Sequence, residues 1–156
     1  MTMRAVGRVT DLTRFRGLRM SMLRVQIGTS SFDARLESDR APQTVAAFLA
    51  RLPFDGQLIQ ARWSGEAGWI PLADYDLGVP AENATSRPAA GQVLWHPPGQ
   101  SEAELLVPYG RSVFSSVVGE LSGNHFLTIV DARGALAEVG RRLLYDGAQR
   151  IRFALP

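Results

Sequence analysis

Chemistry in this chain has few side chains to draw on. Among 156 residues there are two histidines, His96 and His125, no cysteine and no lysine, all 17 basic residues being arginine. Thiolate nucleophiles, disulfides, cysteine metal sites and Schiff-base lysines are therefore excluded. A general base must be one of the two imidazoles or a carboxylate. Neither histidine stands in an H-x-H or H-E-x-x-H spacing, so no metal site is expected, and no G-x-S-x-G elbow marks a nucleophilic serine. No cofactor is implied. His125 alternates with Leu127 and Ile129, which suits a partly buried structural histidine and leaves the role of base open beside it.

Arg62 and Glu66 flank Ser64-Gly65, a turn signal. An arginine and a glutamate on either side of a turn can read a planar carboxylate or amide, the arginine by its two-pronged fork. Otherwise they form a surface ion pair worth about 0–1 kcal/mol. Arg62 shares a strand face with Gln60, opposite Ile59, Ala61 and Trp63, so alternation predicts Trp63 inward and Arg62 outward. Trp63, Trp69, Trp95 and Tyr109 crowd the middle of the chain; such aromatics fill a barrel or line a groove. Asn83-Ala84-Thr85 spells a glycosylation sequon, read here as chance.

The elements that must position these residues follow from periodicity. Leu23, Val25 and Ile27 alternate with Arg24 and Gln26, the chain turns through 28–31, and Phe32, Ala34 and Leu36 resume the alternation, giving an antiparallel hairpin with one buried face. Pro42 opens a helix carrying Val45, Phe48, Leu49 and Leu52, which must stop by Pro53. Strands are expected over 58–63, 67–72, 92–96, 104–107 and 125–130. Residues 74–90 lack any period and read as a long loop, a place where function often sits. A second helix covers 135–145, with Leu136, Val139 and Leu143 on one face, a Glu138–Arg142 pair and Gly147 as its stop. Ile151, Phe153 and Leu155 close the chain as a strand. About eight short strands and two helices predict an antiparallel barrel or sandwich, the helices suited to plugging the two mouths of a barrel.

Hydrophobic residues make up 46% of the chain and charged ones 21%, the composition of one soluble globular domain. Charge is unevenly placed. Residues 1–20 carry five arginines against Asp11, a balance of +4, whereas residues 21–156 hold 12 arginines and 14 acids, a balance of −2. Segment 1–20 is thus expected to be a flexible Arg-rich extension upstream of a start at Met20 or Met22, and 21–156 the folded domain. With no Arg cluster beyond Arg141-Arg142, nucleic acid is not an expected partner. No apolar run is long enough to cross a bilayer, so a cytoplasmic, membrane-free protein is expected.

The segment Ala41-Pro42-Gln43-Thr44-Val45-Ala46-Ala47-Phe48 resembles the AP-x-T-x-x-x-F helix start of cyclophilins, again directly after an N-terminal hairpin. Residues 91–99 (GQVLWHPPG), 104–110 (ELLVPYG), 61–66 (ARWSGE), 82–86 (ENATS) and 123–126 (GNHF) look like those of an uncharacterised bacterial family of cyclophilin-like domain proteins. The resemblance implies a closed eight-stranded antiparallel β-barrel capped by two α-helices. It does not carry over prolyl isomerisation. Only Arg62 could match the arginine of the isomerases' F-H-R signature, Ala61 replaces its histidine, the F-M-x-Q-G-G run is missing, and Ala47 stands where the helix start usually has asparagine.

Residues and resemblance together predict a protein that binds a small polar or peptide-like ligand in a groove outside the barrel. The expected ligand-binding residues are Arg62, Asn83, Thr85, His96, Tyr109 and Asn124. The alternatives are an enzyme acting on an amide or carboxylate compound by acid–base catalysis, with His125 or Glu66 as base, and, less favoured, a peptidyl-prolyl isomerase. A homo-oligomer is compatible with each.

Overall fold

The alternation that starts at Leu23 becomes β1 (Met22–Ile27), which pairs with β2 (Ser30–Leu36) so that Val25 lies opposite Phe32 and both are buried. The structure, a computed structural model, describes residues 21–156; the extension expected over 1–20 lies outside the described residues. After α1 (Pro42–Leu49) come β3 (Phe54–Gln60), β4 (Gly65–Pro71), β5 (Ala84–Thr85), β6 (Gln92–His96), β7 (Glu104–Ser112), β8 (Ser115–Ser116), β9 (Gly119–Glu120) and β10 (Gly123–Val130). The chain ends with α2 (Ala135–Tyr145) and β11 (Gln149–Ala154).

Hydrogen bonding runs β2-β1-β11-β3-β4-β7-β6-β10, and β10 pairs back onto β2. Eight antiparallel strands thus close on themselves, leaving no exposed edge among them. β5 adds to β10, and β8–β9 form a separate small hairpin. Inside the barrel Val93, Trp95, Leu105, Val107, Phe126 and Ile151 are buried together. The Phe48 ring of α1 packs at 4.9–5.3 Å from Phe54, Phe126 and Phe153, closing one mouth. At the other mouth α2 inserts Leu136, Val139 and Leu143. There Gly140 lets the helix approach the Tyr109 ring so closely that an added Cβ would lie 2.2 Å from Cδ2.

One expectation about faces is overturned. Ile59 pairs with Trp69, and both belong with Ala61 to the outside of the sheet, while Leu58 and Ile70 point inward. Trp63 is therefore not an inward residue; it is 58% exposed. The strand ends at Gln60 instead of running to residue 63, because the chain must bend through 62–64 to reach Gly65, whose φ of +93° brings its Cα against the carbonyl of Arg111. A Cβ there would meet that oxygen at 2.9 Å, so glycine is required. β7 and β10 also extend beyond their expected bounds, to Ser112 and back to Gly123.

Candidate functional site

Outward-facing residues of the β4–β7–β6 wall are unusually apolar. Ala67, Leu94 and Leu106 are buried outside the barrel because Phe114 and Leu121, from the strap of residues 113–122, cover them. The strap is pinned at several points. The Phe114 N–H donates to the Ser86 carbonyl (2.7 Å), the Val113 N–H to the Ser64 carbonyl (3.0 Å), and the Ser64 hydroxyl exchanges hydrogen bonds with the backbone of Ser115 at 3.0 and 3.1 Å. Between this strap, the 61–64 bend and the approach to β7 lies a pocket of about 180 Å3 lined by Arg62, Trp63, Trp69, Glu102, Glu104 and Ser116 among others. A wider, shallower cleft shares Trp63 and Ser64 with it and contains Glu66, Pro88 and Arg111.

Glu104 sets the electrostatics of the pocket. It is 6% exposed, lines the cavity, and makes no hydrogen bond or ion pair among the described residues. Burial, reinforced by the neighbouring Glu102 charge, pushes its carboxyl up to about 8, so it holds a proton at neutral pH. Its cross-strand partner is His96, also buried, with Nδ1 3.0 Å from the Ser122 carbonyl. A carbonyl only accepts, so Nδ1 donates to it, and Nε2 is buried with no hydrogen-bond partner among the described residues. Arg62 is exposed and unpaired among the described residues. Glu66 does not pair with it; its Oε1 accepts the Arg111 N–H at 3.1 Å, over the space left by Gly110.

The remaining residues singled out from sequence lie elsewhere. Asn124 is buried and ties three segments together: its Nδ2 donates to Thr44 Oγ1 (3.0 Å) and the Pro80 carbonyl (2.9 Å), and its Oδ1 accepts the Glu82 N–H (3.2 Å). Glu82 in turn accepts from the Thr44 N–H (2.6 Å) and hydroxyl (2.8 Å), capping α1 from the long loop. Asn83, at φ +48°, donates to the His125 carbonyl at 2.8 Å. Thr85 accepts the Arg87 N–H. Tyr109 donates to Gln60 at 2.6 Å beneath α2.

His125 sits at a bulge in β10, with Nε2 2.7 Å from Thr128 Oγ1, whose hydroxyl donates to Glu37 at 2.6 Å. Burial holds the imidazole below its usual value against the opposing pull of Glu37. The structure thus brings Arg62 and Glu66 to adjoining sites and His96 beside Glu104, but gathers neither Asn83, Thr85, Tyr109, Asn124 nor His125 around Arg62. Sequence reasoning passed over Glu102 and Glu104. The available signal was the apolar run Leu105 to Val107, which in a strand implies cover on both faces and so burial of the acid next to it. Among the described residues no group of three or more His, Asp and Glu side chains is placed to hold a metal ion, and no helix is long and apolar enough to cross a membrane.

Similarity to known proteins extends over most of the chain. The barrel is similar to the structure of McbB in complex with tryptophan, at 18% identity and a TM-score of 0.63, over 85% of this chain and 44% of that one. This chain thus spans less than half the length of that structure. It is also similar to the solution structure of the hypothetical protein AF2241 from Archaeoglobus fulgidus, at 17% identity and a TM-score of 0.50, over 87% of this chain and 95% of that one. No curated protein matches it. Residues 23–155 match DUF3830, described as a protein of unknown function, and the chain, a closed eight-stranded barrel with two helices, belongs to that family.

Proposed function

We propose that the protein binds a small polar or peptide-like ligand in the pocket outside the β4–β7–β6 wall. The observation that carries this reading is that one pocket collects an arginine and a buried carboxyl that have no partner among the described residues, together with two indoles: Arg62, Glu104, Trp63 and Trp69. Polar groups inside a fold are normally satisfied, and those that are not are candidates for meeting a ligand. Arg62 offers its fork to a carboxylate or planar amide, and a volume of about 180 Å3 suits an amino-acid-sized group. The test is a tryptophan-fluorescence titration of the full chain with simple carboxylates and dipeptides, repeated with Arg62→Ala. Binding weakened at least tenfold, with the melting temperature unchanged, is expected; equal binding by both proteins refutes the role of Arg62.

The proton held by Glu104 supports a second reading, general acid catalysis on an amide bound by Arg62. Here Glu104, rather than His125 or Glu66, is the acid–base group. Mass spectrometry of stoichiometric incubations with the same dipeptides tests it, since binding without cleavage leaves them intact.

A further inference from the structure

Resting on that same pocket, we infer that the ligand is two-ended: besides the carboxylate or amide read by Arg62, it carries a guanidinium or ammonium group held by Glu102 and Glu104 beside the indoles of Trp63 and Trp69. Glu104, the first residue of β7, pairs with Pro71 at the end of β4, while Arg62 precedes the start of β4, with Trp69 between them in sequence and all three lining one cavity. Glu104 is more than nine-tenths buried, yet its carboxyl faces the cavity with no partner among the described residues. A cation is the partner that would satisfy it. Glu102 adds a second carboxylate to the same wall, with one oxygen already accepting the Ala73 N–H at 3.1 Å. Indoles next to carboxylates are the recurring surroundings of guanidinium and ammonium ligands. Arg62 would repel a ligand that was cationic throughout, so the ligand must bring its own anionic or polar end.

Charged and titratable groups around Glu104 are few. Glu102 comes from its own segment, Arg62 from the 61–64 bend and His96 from β6, while the strap presents Ser115, Ser116 and Val117 and β4 presents Trp69. Glu104 carries a proton at neutral pH because burial, then Glu102, raises its carboxyl to about 8. A bound cation favours the carboxylate, so that proton is released to solvent as the ligand arrives. The cation-ready form rises from about 1% of molecules at about pH 6 to about half at about pH 8, and affinity should tighten roughly 50-fold across that range.

The experiment is isothermal titration of the full chain with three probes at about pH 6, 7 and 8. 4-Guanidinobutyrate carries both ends and keeps both charges throughout, propylguanidinium carries only the cation, and butyrate only the carboxylate. Expected are tightest binding by 4-guanidinobutyrate, the roughly 50-fold tightening with pH, and heats that differ between buffers in the sense of proton release. Glu104→Gln, its fold checked by circular dichroism, should flatten the pH dependence. Arg62→Ala should bring 4-guanidinobutyrate down to the affinity of propylguanidinium and keep the slope. Binding independent of pH, proton uptake, or butyrate binding as tightly as 4-guanidinobutyrate overturns the cation and leaves the Arg62 reading standing. A steep pH slope that Arg62→Ala leaves untouched, with unchanged affinity, supports the cation and overturns Arg62 as anion reader. No binding by any probe overturns both.

Discussion

Replacing Glu104 by Gln should make the folded protein more stable at neutral pH, although it removes a titratable residue from the wall of the candidate site. In the unfolded chain this carboxyl ionises at its ordinary 4.5, whereas in the fold burial and Glu102 raise it to about 8. The folded protein therefore binds one proton more than the unfolded chain between these values. This proton linkage is fully favourable below 4.5 and is lost progressively as pH rises through 8. Each unit of separation is worth about 1.4 kcal/mol, so holding the acid neutral in the fold costs about 3 kcal/mol at pH 7 and levels off at about 5 kcal/mol above pH 8. Glutamine has nearly the same shape and is neutral in both states. Its amide faces the same cavity as the carboxyl, so a neutral acid is exchanged for a neutral amide in the same surroundings. Urea unfolding of the two proteins across this pH range measures the difference directly. The curves should coincide near pH 4.5 and diverge by about 1.4 kcal/mol per unit up to about 8, Glu104→Gln being the more stable. A gap that stays flat with pH, or a glutamine variant less stable than wild type at pH 7, refutes the argument, because the carboxylate would then be ionised and stabilised in the fold.

Asn124→Ala removes the three hydrogen bonds that join Thr44, Pro80 and Glu82 and leaves buried donors and acceptors unmatched. A loss of about 3 kcal/mol is expected in urea unfolding, with faster limited proteolysis within residues 73–90. Gly140→Ala places a methyl 2.2 Å from the Tyr109 ring. The better helix propensity of alanine, about 1 kcal/mol, should be outweighed by overpacking of about 1–3 kcal/mol, seen as a lowered melting temperature. Combining it with Tyr109→Ala should recover part of that loss, as expected for residues in direct contact.

Much of the barrel was legible because its strongest signals are local. Leu23 to Leu36 alternates cleanly on one covered face, and residues 135–145 repeat at helical spacing, so β1, β2 and α2 lie where the pattern puts them. The direction of β3 and β4 was not legible, since apolar residues occur on both faces: Leu58 and Ile70 inside, Ile59, Ala61 and Trp69 outside. Alternation identifies two faces but cannot say which one a later segment will cover. That segment, 113–122, forms only two-residue strands and carries no period of its own. The pocket was invisible for the same reason. Arg62 and Glu104 belong to separate stretches, and only the closed sheet, with the strap latched through Ser64 and Ser115, brings them to one cavity.

Polar residues in this barrel divide according to what they gain from folding. Thr44, Glu82 and Asn124 are fully engaged with one another, and His125 is engaged with Thr128 beside Glu37. Truncating such residues removes bonds the fold relies on, so their chemistry is already used in holding the structure. Glu104 and Arg62 gain nothing comparable: among the described residues one is buried without a partner, the other exposed without one. Leu94 and Leu106 show what the outer wall requires for stability alone, which is an apolar side chain under the strap. An acid next to them that costs about 3 kcal/mol at neutral pH is what a binding site looks like before its ligand arrives, because the groups that will meet the ligand must forgo partners within the protein. The two measurements on Glu104→Gln therefore belong together. A gain in stability accompanied by loss of the pH-dependent affinity for 4-guanidinobutyrate identifies Glu104 as a residue kept for the ligand, whereas a gain in stability with unchanged binding makes it a packing defect in the wall.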